Sequence, residues 1–143
     1  MSVATLIWSF LFPRYETLIP LSEDEQHWLE DYPTGHVPFR WRGFSAGGYD
    51  SSVALTTTGL KLTTEQANFA KVIVAAVIGG IAIFSLFIAL SGDAEAAYFI
   101  IVFIPIGLFL FVSIRVFGRL VHLQDRRRME ADVLRHLQAR SNQ

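Results

Sequence analysis

The chain has 143 residues, 52% of them apolar and only 17% charged. A soluble domain carries about 25% charge, so these proportions argue against a disordered polyelectrolyte and against an ordinary soluble globule. The net charge of −1, from 12 bases and 13 acids, gives no global pull toward nucleic acid, and the absence of cysteine excludes disulfides, thiolate metal sites and thiol catalysis.

In chain order, the segment 1–13 is apolar and ends at Pro13 and Arg14. It is too short to span a bilayer and lacks the basic start and cleavage site of a signal peptide. It reads as an interfacial segment lying on lipid or on a partner, with Ser2, Thr5 and Ser9 as its polar face and Trp8 as a contact residue.

Residues 14–63 form a small, aromatic-rich cytoplasmic segment, expected to be irregular. Ser22 to Glu25 matches a capping box, predicting a helix from Glu23 to about Asp31 that Pro33 stops. The stretch 37–42 alternates, with Val37, Phe39 and Trp41 on one face and Arg40 and Arg42 on the other, while Pro38 demotes it to an edge or extended piece. Arg40, Trp41 and Arg42 are candidate lipid or partner contacts. Residues 53–58 and 60–62 are short strand candidates around Gly59. A segment of about 50 residues with no metal or disulfide buries a small core. Its aromatics (Tyr15, Trp28, Tyr32, Phe39, Trp41, Phe44, Tyr49) therefore call for a second surface, either a membrane interface or a neighbouring subunit.

Chemical motifs are sparse. The glycine-rich stretch 43–48 lacks the Lys-Ser/Thr pair of a phosphate loop and reads as a turn. His27, His36, His122 and His136 show no metal-ligand spacing, and Ser45 or Ser51 with His36 and Asp50 lack the spacing of a triad.

Residues 64–118 read as a transmembrane hairpin. Thr63 to Gln66 resembles another capping box, placed to start the first helix. The stretches 72–90 and 96–114 are each 19 residues without a charge, close to the roughly 20 that a 30 Å hydrocarbon core requires. The five-residue link Ser91 to Glu95 makes the helices antiparallel neighbours, with Asp93 as N-cap of the second. Between 72 and 114 only Asp93 and Glu95 ionise and there is no His or Met, so charged gating, proton relays and axial haem ligation lack their usual residues. Ala75, Gly79, Ala82 and Ala89 form a small-residue stripe, with Ala76 and Gly80 beside it. Such stripes let helices approach closely, here the second helix or another subunit. Pro105 with Gly107 predicts a kink in the second helix.

Residues 119–143 read as a basic amphipathic tail helix, which Gly118 either separates from the second span or lets run on. Met129, Val133, Leu134 and Leu137 form its apolar face, and Asp132 is placed to pair with Arg128 and Arg135. Arg115 and Arg119, just past the second span, are expected to reach the headgroup layer, and are candidate contacts for lipid or partner. The link holds two acids and no base, whereas seven arginines follow the second span and Lys61 and Lys71 flank the first. The positive-inside rule puts both termini in the cytoplasm, and a bacterial inner membrane is the expected setting.

The expectation is thus a mainly α membrane protein, a two-helix antiparallel transmembrane hairpin with an irregular N-terminal segment and an amphipathic tail. Its expected role is a non-catalytic accessory or assembly subunit of a larger membrane complex, with respiratory or photosynthetic assemblies as natural hosts. Its partners are membrane lipids and other integral subunits, with no cofactor, nucleic acid or small-molecule substrate. A homo-oligomeric two-helix channel or mechanosensor is the alternative, and a membrane-anchored cytoplasmic-face enzyme the third reading.

Overall fold

Alternating residues in 49–66 and the unbroken apolar run that follows produce two kinds of structure on one spine. The computed structural model describes residues 2–36 and 48–143, the side chain of Ala96 excepted. The elements are α1 (Val3–Leu11), β1 (Tyr15–Pro20), α2 (Glu23–Trp28), β2 (Gly35–His36), β3 (Tyr49–Thr56), β4 (Gly59–Gln66), α3 (Asn68–Ser91) and α4 (Ala94–Ser141). Two helices among the described residues, α3 and α4, are long and apolar enough to cross a membrane.

The N-terminal part is not irregular. Its described strands form an antiparallel four-stranded sheet in the order β1-β4-β3-β2. The register places Tyr15, Thr64 and Ser51 in one cross-strand row, Thr17, Leu62 and Val53 in the next, and Ile19, Leu60 and Leu55 in a third. One face of the sheet is therefore polar at one end and apolar at the other. The inward Thr and Ser hide the alternation that marks a strand in sequence, and β1 is the strand they hide best.

Two local expectations change with it. Thr63 to Gln66 do not cap a helix but finish β4, where Thr63 and Thr64 pair with β1 on one side and all four residues pair with β3 on the other. Main-chain ladders satisfy these peptide groups, so the chain turns helical only after Ala67. The capping box at Ser22 does form: Glu25 N donates to Ser22 Oγ at 3.3 Å and Ser22 N donates to Glu25 Oε2 at 3.0 Å. Its helix ends at Trp28, short of Asp31.

The tail is not a separate helix. α4 runs 48 residues through both Pro105 and Gly118, about 72 Å at 1.5 Å per residue. Its first part lies against α3, antiparallel to it across a turn formed by Gly92, at φ +68°, and Asp93. Glycine takes this left-handed conformation without the steric cost a side chain meets. The Asp93 side chain then accepts from Glu95 N at 3.0 Å, as an N-cap. The least exposed positions of α3 are Val74, Ala75, Ile78, Gly79, Ile81, Ser85 and Ile88, beginning from Lys71, a helical stripe that faces α4.

The second half of α4 carries the sheet. Leu29, Tyr32, Val53, Leu60 and Leu62 enclose Met129 and Val133 in one core, with Leu137 at its margin. The second surface that the aromatics required is therefore supplied by the chain itself for Tyr15, Tyr32 and Tyr49. Leu134, expected on the apolar face of the tail, is instead exposed, because the sheet contacts the stripe running through 118, 121, 122, 125, 129 and 133. Asp132 accepts from the Tyr32 hydroxyl at 3.2 Å, a contact across to α4 that the sequence expectation of Arg128 and Arg135 did not contain.

Candidate functional site

Where the polar end of the sheet meets α4, two tyrosines, a histidine and an aspartate gather. Tyr15 and Tyr49 donate their hydroxyls to the carbonyl oxygens of Arg115 and Ile114, at 3.1 and 2.7 Å. Both carbonyls lie within α4, and each oxygen has a second lone pair beyond its helical bond. A side chain at Gly118 has no room there: its Cβ would lie 2.8 Å from Tyr49 Cε1 and 3.1 Å from Tyr15 Cε2. Gly118 is thus a seat for the sheet, not a helix break. Burial, and then the neighbouring Tyr15, push the Tyr49 hydroxyl up to about 12, which keeps it a donor at neutral pH.

One turn further, a chain of hydrogen bonds crosses the interface. His122 Nε2 lies 2.7 Å from Thr17 Oγ1 and its Nδ1 2.9 Å from Thr64 Oγ1. Thr64 Oγ1 is 2.9 Å from Ser51 Oγ, which donates to Asp125 Oδ2 at 2.6 Å. A carboxylate only accepts, and each hydroxyl has one proton. Ser51 spends its proton on Asp125, so Thr64 donates to Ser51 and His122 Nδ1–H donates to Thr64. In a neutral ring Nε2 is then bare and accepts from Thr17. With a neutral imidazole every inner member of the chain thus has one donor and one acceptor role filled. Burial, and secondarily the Arg126 charge, lower the His122 pKa below 6.5, in agreement with it. Tyr15 stacks on the ring at 5.8 Å.

Ser51 and Asp125 are each 1% exposed. The arrangement therefore acts as a clasp between sheet and helix; a substrate cannot reach the hydroxyl for nucleophilic attack. Ser51 turns toward Thr64 and Asp125, not into a triad with His36. Among the described residues no group of three or more His, Asp or Glu is placed to hold a metal ion.

A second junction lies nearer the hairpin. The Arg115 guanidinium sits 4.6 Å from the Phe10 ring centroid and 4.8 Å from that of Phe111, while the two rings stack at 5.4 Å. Its Nη2 donates to the carbonyl oxygen of Phe10, near the end of α1. Cation–π contact and a charge at a helix C-terminus both favour this placement. Arg115 therefore ties α1 to α4. Below it, Leu11, Ile78, Ile81, Gly107, Leu108 and Phe111 line an apolar cleft of about 260 Å³.

Of the other residues singled out in sequence, Trp8 lies on α1, half exposed and 4.7 Å from Phe12. Arg119 is exposed one turn past Arg115. Arg40, Trp41 and Arg42 lie outside the described residues, as do Phe39, Phe44 and most of the glycine-rich turn. In the small-residue stripe, Ala75 and Gly79 lie on the half-buried side of α3, whereas Ala76, Gly80, Ala82 and Ala89 are exposed. A Cβ at Gly79 or Gly80 meets nothing within 4 Å among the described residues.

Sequence reasoning did not find the clasp residues. A usable signal existed in His122 and Asp125, which interrupt an apolar stripe continued by Val121, Met129 and Val133; a polar residue on such a stripe has a buried partner. No protein-family model, no curated protein and no solved structure matches the chain.

Proposed function

We propose that this chain is a two-span integral membrane protein acting as a non-catalytic accessory or assembly subunit of a larger membrane complex, with its termini and its sheet on the cytoplasmic side. The observation that carries this reading is how little protein covers the two apolar helices. Only 6% of the most apolar stretch of α3 is buried, and 0% of that of α4, whereas the core helix of a soluble protein is mostly buried. Ile83, Phe87, Leu90, Phe99, Ile101 and Phe109 are all more than half exposed. Lipid tails or other membrane helices are the environments in which such surface is stable.

Orientation follows the charges. Asp93 and Glu95 sit at the turn of the hairpin, and Lys71, Arg115 and Arg119 at its other end, beside the sheet. The clasp supports a scaffold role, since its histidine and hydroxyls are spent on holding the sheet to α4. The exposed side of the α3 stripe, at Ala76 and Gly80, offers a close-approach surface for a neighbouring helix.

Site-specific photocrosslinking in native membranes tests the proposal. A photoreactive residue at Gly80 is expected to capture another integral membrane polypeptide, while one at Ser85, against α4, yields intramolecular product. Capture of lipid alone at both positions contradicts the subunit role. A crosslink only to a second copy shifts the reading to a homo-oligomer.

A further inference from the structure

We infer that the cleft between the end of α1 and the hairpin holds one acyl chain of an anionic phospholipid from the cytoplasmic leaflet, with Arg115 receiving its phosphate. The inference rests on the membrane reading above and adds a specific site to it. The cleft is lined entirely by apolar groups from α1, α3 and α4. Gly107, Leu108, Phe111 and Arg115 lie along α4, so the guanidinium stands eight residues from the floor of the cleft, about 12 Å along the helix. Half of a hydrocarbon core is about 15 Å. The floor of the cleft thus lies close to one leaflet's depth below a fixed positive charge, which stands where a headgroup begins.

The charge has unspent hydrogen-bonding capacity. Among the described residues, only Nη2 of Arg115 has an acceptor, the Phe10 carbonyl, and Nε is buried without one. A phosphate oxygen is an acceptor that the outer guanidinium nitrogens can meet, and Arg binds phosphate with planar, paired geometry. Phe10 and Phe111 hold the group at the mouth and prevent it from extending into bulk water. Arg119, exposed one turn further on, adds a second positive charge on the same side of α4. An uncharged lipid tail or a partner helix satisfies the cleft but leaves the guanidinium without its acceptor.

The test is lipid titration of the detergent-solubilised full chain, followed by native mass spectrometry. Phosphatidylglycerol and phosphatidylcholine of identical chains are compared, and inorganic phosphate is added as competitor. One phosphatidylglycerol is expected to bind about fivefold more tightly than phosphatidylcholine, the weight of one basic residue at an anionic surface. Arg115→Gln removes that preference. Among the described residues a Cβ at Gly107 meets nothing within 4 Å, so Gly107→Leu adds bulk to the lining of the cleft; it is expected to weaken both lipids about tenfold, roughly two buried methylenes, while keeping the preference.

A phosphatidylglycerol carrying a diazirine on its acyl chain needs no variant. Labelling of the wild-type protein is expected at 78–81 and 107–111. Equal affinity for the two lipids, or unchanged binding by both variants, overturns the inference. So does labelling spread evenly along α3 and α4. Displacement by inorganic phosphate assigns Arg115 to a free anion instead. Alkaline extraction of the same membranes separates the two claims: release of the protein into the aqueous phase overturns the membrane reading itself, whereas retention with unselective lipid binding overturns only the site.

Discussion

At the residue scale, the clasp couples docking of the sheet to the protonation of one imidazole. His122 is held below its ordinary 6.5 by burial, with Arg126 adding to the effect. Above that value the ring is neutral whether or not the sheet is docked, and docking is at full strength. Below it the undocked ring takes a proton that the docked ring resists, so docking weakens as pH falls. Among the described residues, Arg126 on α4 and Tyr15 on β1 act on His122 directly, and Asp125 joins it through Ser51 and Thr64. The melting temperature of the sheet is expected to drop between about pH 7.5 and about pH 5.5, and His122→Gln to flatten that slope; an equal slope in the variant contradicts the assignment. Ser51→Ala removes one donor from the buried Asp125 carboxylate and one acceptor from Thr64. It is expected to cost about 1–3 kcal/mol in chemical unfolding of the sheet, and a change within error argues that the clasp does not bear load. In the sequence His122 and Asp125 show only as polar interruptions of an apolar stripe, with no sign of what they meet. Their partners are 58 and 74 residues away, on strands.

At the scale of elements, the two apolar helices were plain in the sequence because an uncharged run of 19 residues matches the thickness of a bilayer core and exceeds the length of most buried strands or helix segments. Their junction through Asp93 was equally plain, since a five-residue link leaves one geometry. The sheet is partly legible: 53–58 and 60–62 fall within the β3–β4 hairpin, whereas nothing in 15–20 singles out β1. Its inward residues are Tyr15, Thr17 and Ile19, and Tyr and Thr face inward only because α4 offers carbonyls and an imidazole to meet them. That information lies a hundred residues away. The continuity of α4 through Gly118 has the same origin, since glycine was ambiguous until the two tyrosines were placed against it. Gly118→Leu places side-chain atoms inside Tyr49 and Tyr15. It is expected to release the sheet, seen as loss of amide exchange protection in 49–66, while leaving α4 helical. Protection equal to wild type contradicts the seating of the tyrosines on Gly118. Met129→Ala, at a fully buried position, is expected to cost about 2–5 kcal/mol through the cavity it leaves, measured by the same exchange experiment.

At the scale of the whole molecule, one long helix does two jobs. Its first half is bare and apolar and pairs with α3; its second half is the floor on which the sheet is built. β4 leads into α3 through the single residue Ala67, and the sheet also packs on α4, so sheet and hairpin are joined without a linker. Ala67, between β4 and α3, donates its N–H to the Gly48 carbonyl at 2.7 Å, which ties this joint to the start of β3. On the proposed function, the exposed hairpin is covered by other integral polypeptides. The most direct measurement is native mass spectrometry of the protein released from its own membranes in mild detergent. The account predicts that the 16.1 kDa chain leaves the membrane within a larger assembly containing other integral subunits in fixed ratio. Recovery solely as a stable monomer, with nothing but lipid attached, contradicts it.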